Sequence, residues 1–345
     1  MFKQTVYERY RGFNLTDMFC SENSEYSCGS PVKKFSEVDF RLISEWGFNF
    51  VRLPLSYRIW SSADDPYTVD EEKIKPLDQA LEYADKYNLF VSICLHRIPG
   101  FCVNDDEPIK EPFDLWKDSE ALSAAKFQWS FLSERYKNIS NERLSFNLIN
   151  EPHYSVSSAK IADVTEHLVR TVRNISPSRS ILIDGTHNGS VPPIDIMMIG
   201  GDNIGYSCRG YQPSNLTHIG APWVKAAAVP KWPDGGVRTM GSFEYKYGLK
   251  EMEEYFDMWA ALGNIYNAGI ICGELGCICN TPHDRMLSWM NDIMRTLKSR
   301  NIGYALWNFK SPNFGLVNNS RTDAVMKKYG DYYVDEELLR ILQRY

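Results

Sequence analysis

Two glutamates stand out by where the chain places them. Glu151 ends the run Leu144-Ser-Phe-Asn-Leu-Ile-Asn150-Glu151-Pro152, an apolar, strand-forming segment that closes on an Asn-Glu pair before a proline. Glu274 follows Ile270-Ile-Cys-Gly273, a β-branched run that meets a carboxylate with Gly273 before it and Gly276 two residues after. A strand that carries an acid to its C-terminal end and then breaks is how a (β/α)8 barrel presents a reactive carboxylate. Two such acids on two strand ends suit the hydrolysis of a glycosidic bond. One protonates the departing oxygen, and the other meets the positive charge that develops at the anomeric carbon.

The elements needed to position them are present. Strand-like runs occur at Arg11–Leu15, Phe48–Leu55, Leu89–His96, Leu144–Glu151, Ile181–Gly185, Ile204–Tyr211, Gly269–Gly276 and Ile302–Phe309. Segments of helical periodicity separate most of them, at Phe35–Trp46, Asp70–Tyr87, Ser119–Tyr136, Ala159–Ile175, Met252–Leu262 and Pro282–Ser299. Strand–helix alternation of this kind predicts an α/β protein, a single (β/α)8 TIM barrel spanning residues 1–345. No linker-like or low-complexity segment divides it.

In a barrel the C-terminal strand ends share one rim. Here they supply Asn14, Arg52, His96, Asn150 with Glu151, Asp184 with His187, Arg209 with Tyr211, Glu274 and Trp307. Packing has no use for so many polar groups on apolar strands. A buried polar group without a partner costs roughly 1–3 kcal/mol. The rim therefore reads as a functional surface.

Composition narrows the partners. The 345 residues carry a net charge of −6, and 43% are hydrophobic. An acidic balance argues against nucleic acid and against an anionic membrane, both of which call for basic surfaces. No run reaches the roughly 18 apolar residues of a membrane span. The opening Met1-Phe-Lys-Gln-Thr-Val lacks the basic-then-apolar pattern of a secretion signal. The expectation is a cytoplasmic protein, or a secreted one whose signal is not in this sequence. Nine Trp and twenty Tyr suit stacking on sugar faces as well as core filling. Of the eight cysteines, Cys20 with Cys28 and Cys277 with Cys279 are closely spaced. Neither pair has a matching second Cys/His pair, so reduced thiols are expected rather than zinc or disulfides.

The ordered set Arg11-Gly-Phe-Asn14, Asn49-Phe-Val-Arg52-Leu-Pro, Leu95-His96, Asn150-Glu151-Pro152, Gly273-Glu274 and Leu306-Trp307-Asn308 resembles family 5 glycoside hydrolases, the cellulase family. The elements His96–Gly100, Ser207–Tyr211 and Thr217-His218 are most similar to a bacterial endoglucanase branch. The resemblance implies a retaining mechanism, with Glu151 as acid/base, Glu274 as nucleophile and carboxyl groups roughly 5–5.5 Å apart. It also implies supporting roles. Arg52 and Tyr211 would hold Glu274 ionised, Asn150 would bind the sugar 2-hydroxyl, His96 would bind hydroxyls beside it, and Trp307 would floor the sugar before the cleaved bond. Plainer alternatives stand beside these: Arg52 as a structural ion-pair partner, His96 as a satisfied rim histidine, Trp307 as a core cap. One position departs from the commoner family pattern. Most relatives carry His-x-Tyr where this chain has Arg209-Gly-Tyr211. Arg209 either places a fixed charge beside the carboxylates or turns outward, and His218 is placed to take over the histidine's role.

The long connection from Gln212 to about Lys250 carries Trp223 and Trp232, candidate sugar platforms, as are Tyr57 and Trp60 after the second strand, with ordinary loop packing the plainer reading of each. The expected substrate is a β-1,4-linked glucan or glucomannan cut internally. Alternatives are a mannanase, or an exo-acting β-glucosidase, β-mannosidase or β-1,3-glucanase on oligosaccharides. Outside that class lie a non-catalytic carbohydrate-binding barrel and a zinc hydrolase on His96, His153 and His218, which would lack an HExxH signature. No cofactor or metal is implied, and a monomer is expected.

Overall fold

The computed structural model describes residues 9–20, 34–104, 110–226, 228–240 and 243–345. Eight parallel strands form the barrel: β1 (Arg11–Asn14), β2 (Phe50–Ser56), β3 (Phe90–Ile98), β4 (Leu144–Asn147), β5 (Ser180–Asp184), β6 (Ile204–Gly210), β7 (Ile270–Leu275) and β8 (Gly303–Leu306). Each pairs with its sequence neighbours, β8 pairs with β1, and the sheet closes. Both faces of such a sheet are covered, which is why the strands read as nearly unbroken apolar runs. Every residue of β2 and of β3 is buried.

The covering helices are α1 (Glu37–Glu45), α2 (Glu71–Lys86), α3 (Ser119–Arg135), α4 (Ser158–Ile175), α5 (Ile194–Ile199), α6 (Leu249–Ile265), α7 (His283–Ser299) and α8 (Glu336–Arg344). Their starts are locally specified. Asp70 accepts from the backbone N–H groups of Glu72 and Lys73, Ser157 from Lys160, and Asp335 from Leu338, which satisfies donors that a helix leaves open at its first turn. On α7, Met286, Trp289, Met290, Ile293, Met294 and Leu297 form the buried stripe, at the spacing of one helical face.

The expected strands and helices are all present, with ends adjusted. The expected strand Leu144–Glu151 leaves the ladder after Asn147, and β3 runs past His96 to Ile98. The β5–β6 connection holds the short turn Thr186–Gly189, broken by left-handed His187 and Asn188, and the six-residue α5. Two antiparallel hairpins, Val237–Met240 with Phe243–Lys246 and Met326–Tyr329 with Tyr332–Asp335, lie outside the expected pattern. The all-thiol expectation fails at Cys20, which is disulfide-bonded; Cys28 lies outside the described residues. Cys94, Cys102, Cys208, Cys272, Cys277 and Cys279 are free thiols. Among the described residues no helix is long and apolar enough to cross a membrane.

Candidate active site

Backbone irregularities at two strand ends aim the glutamates. In β7 the pairing with β6 runs Cys272 opposite Cys208, then Glu274 opposite Arg209, so Gly273 is an extra residue in the ladder. Such a bulge redirects the side chain that follows. Only glycine fits there, because a Cβ on Gly273 would lie 2.4 Å from the Ser207 hydroxyl. Glu151 sits beyond the end of β4 with φ at 47°. A glutamate in this left-handed region is strained by on the order of 1–2 kcal/mol. Its backbone N–H donates to Asp184 Oδ2 at 2.9 Å, which holds the turn in place.

Arg52, at 1% exposure, organises the floor. Its Nε donates to Asn147 Oδ1 (3.0 Å), Nη1 to Asn14 Oδ1 (2.9 Å) and Glu274 Oε1 (2.8 Å), and Nη2 to Cys94 Sγ (3.0 Å) and Asn150 Oδ1 (2.7 Å). A guanidinium has five N–H donors, and each finds an acceptor. The Arg52 charge is therefore buried without an unmet donor.

Arg209 turns inward and joins the two glutamates. Its Nε donates to Glu151 Oε1 at 2.6 Å, while Nη2 lies 3.3 Å from Glu274 Oε1. The same Nη2 contacts Asn150 Oδ1 at 2.8 Å and pairs with Asp184, and Nη1 donates to Ser207 Oγ at 2.9 Å. Asp184 accepts in addition from Asn147 Nδ2 at 2.9 Å. It thus fixes the Glu151 backbone and the Arg209 side chain together. The sequence places Asp184 on the rim without a role, and Asn147 passes unnoticed as an interior strand residue. Neither reveals its partners without the barrel's register.

The two carboxyls sit in unlike surroundings. Burial, then the neighbouring Glu274, push the Glu151 carboxyl up to about 8, against the opposing pull of Arg209. Glu274 is paired to Arg52, and its Oε2 accepts from the Tyr211 hydroxyl at 3.2 Å. Burial first, then the Glu274 charge, hold the Tyr211 phenol well above its ordinary value, so it stays a donor. Burial and the charge of Arg52 hold His96 well below the usual imidazole range. Burial brings His218 down to about 4. Both histidines are neutral near pH 7. His96 Nε2 lies 2.7 Å from Asn104 Oδ1 and 3.3 Å from Asn150 Nδ2.

A cavity of about 700 Å³ opens over this network, lined by Glu151, Glu274, His96, Arg209, Tyr211, His218, Trp223 and Trp307, with Phe19, Asn104, Tyr154, Asn188, Arg238 and Phe314 among the rest. Trp307 stacks on His96 at 5.8 Å between ring centroids. His218 packs edge-on to Tyr211 at 4.8 Å, and its Nδ1 meets Thr217 Oγ1 at 2.9 Å. Arg52 and Asn150 lie directly beneath the cavity, bonded as above.

Three expected platforms are elsewhere. Tyr57 is fully buried, with its hydroxyl on Glu111 Oε2 at 2.8 Å, and Trp60 is 1% exposed, with Nε1 on Gln128 Oε1 at 2.8 Å. The single helical turn Tyr57–Ile59 after β2 swings these rings into the core. Trp232 is 9% exposed and donates to Asp292 Oδ2 on α7 at 2.9 Å. None of the three offers a ring face to the cavity. Trp223, at 61% exposure, does. His153 bonds Ser155 at its own turn and is not part of the cavity wall, so it does not meet His96 and His218.

An acid holding its proton and a second carboxylate face one cleft, which can cleave an acetal by proton donation and carboxylate attack. Known proteins resemble this chain over most of its length. Over 333 residues the chain is 26% identical to endoglucanase C of Acetivibrio thermocellus, covering 90% of this chain and 91% of that one. It is 26% identical over 268 residues to cellodextrinase A of Ruminococcus flavefaciens, covering 77% and 76%. A crystal structure described as a glycoside hydrolase superposes with a TM-score of 0.86 at 31% identity, covering 98% of this chain and 99% of that one. Residues 9–313 match the cellulase family, glycosyl hydrolase family 5. With the match spanning most of its length, the chain belongs to glycosyl hydrolase family 5.

Proposed function

We propose that this family 5 enzyme is a retaining, endo-acting hydrolase of β-1,4-linked glucan or glucomannan, with Glu151 as acid/base and Glu274 as nucleophile, acting as one catalytic domain and as a monomer. The observation that carries the reading is the unlike pair of carboxyls facing one cavity. Glu151 keeps its proton to about pH 8, while Glu274 is held by Arg52. That division is what a proton donor and an attacking carboxylate require.

In the first step a Glu274 oxygen bonds to the anomeric carbon as the glycosidic C–O bond breaks. The Glu151 proton passes to the departing oxygen. Oε2 is the freer oxygen, since its one bond is the 3.2 Å contact from Tyr211. In the second step Glu151, now ionised, takes a proton from water. That water's oxygen attacks the same carbon, and the bond to Glu274 breaks with its electrons returning to the carboxylate. Arg209, within 2.6 Å of one acid and 3.3 Å of the other, remains charged through both steps. It stands in for the histidine that relatives more commonly carry. Asn150 has its carbonyl oxygen tied to Arg52 and Arg209. One N–H of its amide faces His96 Nε2 at 3.3 Å, and the other is left for the sugar 2-hydroxyl, a contact that strengthens in the transition state. Trp307 supplies the stacking floor, and neutral His96 binds hydroxyls beside it.

Likeness to an endoglucanase supports internal cleavage of glucan. Likeness to a cellodextrinase favours a second reading, in which short oligosaccharides are the substrate. Hydrolysis of β-glucan, glucomannan, mannan and cello-oligosaccharides, followed over time, separates them. Mixed oligomers early from glucan support endo action. A single small sugar from oligosaccharides alone overturns it, and turnover of mannan alone overturns the glucan assignment.

A further inference from the structure

Arg238 is the charged group in the cavity wall that the proposed mechanism leaves unused. It sits on the hairpin Val237–Met240/Phe243–Lys246, paired across the strands with Tyr245. Its guanidinium carbon lies 6.0 Å from the Tyr245 ring and 5.7 Å from the Tyr255 ring. The Tyr255 hydroxyl in turn donates to the backbone oxygen of Arg209 at 3.0 Å. The guanidinium is therefore steadied on aromatic faces one residue removed from the carboxylate network. The carboxylates nearest in sequence have other partners or directions. Asp234 reaches Lys246, Glu251 accepts from the Gly248 backbone N–H, and Glu244 alternates to the hairpin face opposite Tyr245.

The charge around the cleft is unbalanced as a result. Arg52 and Arg209 are matched by the carboxylates of Glu274 and Asp184. Glu151 keeps its proton to about pH 8, and His96 and His218 are neutral. Among the described residues that line or underlie the cavity, what is left over is the Arg238 cation, in a protein whose net charge is −6. A fixed cation on a concave wall selects an anion, since a guanidinium matches a carboxylate or phosphate with two parallel hydrogen bonds.

Arg238, on the connection after β6, lines the cavity with Tyr154 after β4 and Asn188 after β5, strands that lie across the barrel from β8, just past which Trp307 sits. With Glu151 as proton donor, this is the side of the departing sugar. We infer that Arg238 builds a leaving-group subsite for a glycan unit bearing an anionic substituent, so that the preferred substrate is an acidic β-glycan. This rests on the hydrolase reading above for its side assignment.

The test is calorimetric titration of the Glu274→Gln protein with cellotetraose and with analogues carrying a C6 carboxylate or a C6 phosphate on the reducing-end half. The anionic chains should bind about tenfold tighter than the neutral one. Adding Arg238→Gln should bring the ratio to within about twofold, and salt should erode it. The stronger of the two anionic arms tells carboxylate from phosphate. Equal affinity for neutral and anionic chains, or a preference that survives Arg238→Gln, overturns the inference. Turnover of the neutral and the anionic chains by the wild type reports on the hydrolase reading separately. If neutral chains are cut and no anion preference exists, only this inference fails. If neither neutral nor anionic chains are cut but the preference vanishes with Arg238→Gln, the subsite stands and the hydrolase reading falls.

Discussion

The ends of β4, β6 and β7 and the long β6–α6 connection both face the cavity, yet they are built on opposite terms. At the strand ends Glu151, Arg209 and Glu274 are tied to one another, and Arg209, like Arg52 beneath them on β2, contacts several partners. In the connection, Trp223 stands 61% exposed and Arg238 rests on tyrosine rings, with no acidic partner among the described residues. The first region has one geometry, set by strand register and the Gly273 bulge. The second can vary without disturbing the barrel. The proposed mechanism puts chemistry in the first and substrate choice in the second, a division that loops on a rigid scaffold make physically natural.

The comparison breaks most readily at Glu274. Glu274→Ala should lower kcat on an aryl cellobioside by on the order of 10⁴-fold or more, with the folded state retained by circular dichroism. A loss under tenfold would move the nucleophile elsewhere.

Arg209 gives the next largest effect. Arg209→Gln should cost about 10²–10³-fold in kcat/KM. Its pH profile distinguishes positioning from mere packing. Because Arg209 pulls the Glu151 carboxyl down, its removal lets the proton persist to higher pH. The alkaline limb, expected near pH 8 in the wild type, should therefore move upward. A limb that stays in place would separate Arg209 from Glu151.

Glu151 also links function to stability. Its folded value of about 8 lies above the unfolded value near 4.3. Between those limits the native state holds one more proton than the unfolded chain, so this group erodes stability as pH rises, and the penalty is complete above about 8. Glu151→Gln should accordingly raise Tm more at pH 8 than at pH 5. An equal shift at both pH values would contradict the burial of an uncharged acid.

Aromatic residues sharpen the comparison at its low end. Trp60→Ala should destabilise by about 3–5 kcal/mol in denaturant unfolding, with KM of the folded fraction unchanged. Trp223→Ala should leave stability intact and raise KM for long chains by about 3–10-fold, the scale of one lost stacking contact. A reversal of these two phenotypes would refute the placement of both rings.

The same contrast explains what was legible in the sequence. Glu151 and Glu274 were readable because Asn-Glu-Pro and Gly-Glu close apolar runs, and a barrel makes strand ends converge. Asp184 was visible as a strand end, but its hold on Glu151 and Arg209 depends on register across β4, β5 and β6. Trp60 and Trp232 read from sequence either as platforms or as ordinary packing, and packing wins through N–H partners, Gln128 and Asp292, that lie 68 and 60 residues away. Helix α8 carried a usable signal that the strand–helix count passed over: Asp335 as cap, then Leu338, Leu339 and Leu342 on one face. Arg209 could be weighed only two ways from sequence, since an arginine at a strand end turns inward only if acids await it.

The most direct test of the two-carboxylate account is azide rescue with product stereochemistry read by NMR. On an aryl β-cellobioside, azide should restore turnover of Glu151→Ala and give the β-glycosyl azide, because Glu274 still forms the covalent intermediate. With Glu274→Ala, azide should occupy the vacated face and give the α-glycosyl azide. The same anomer from both variants, or a β-azide from Glu274→Ala, would contradict the assignment of nucleophile and acid.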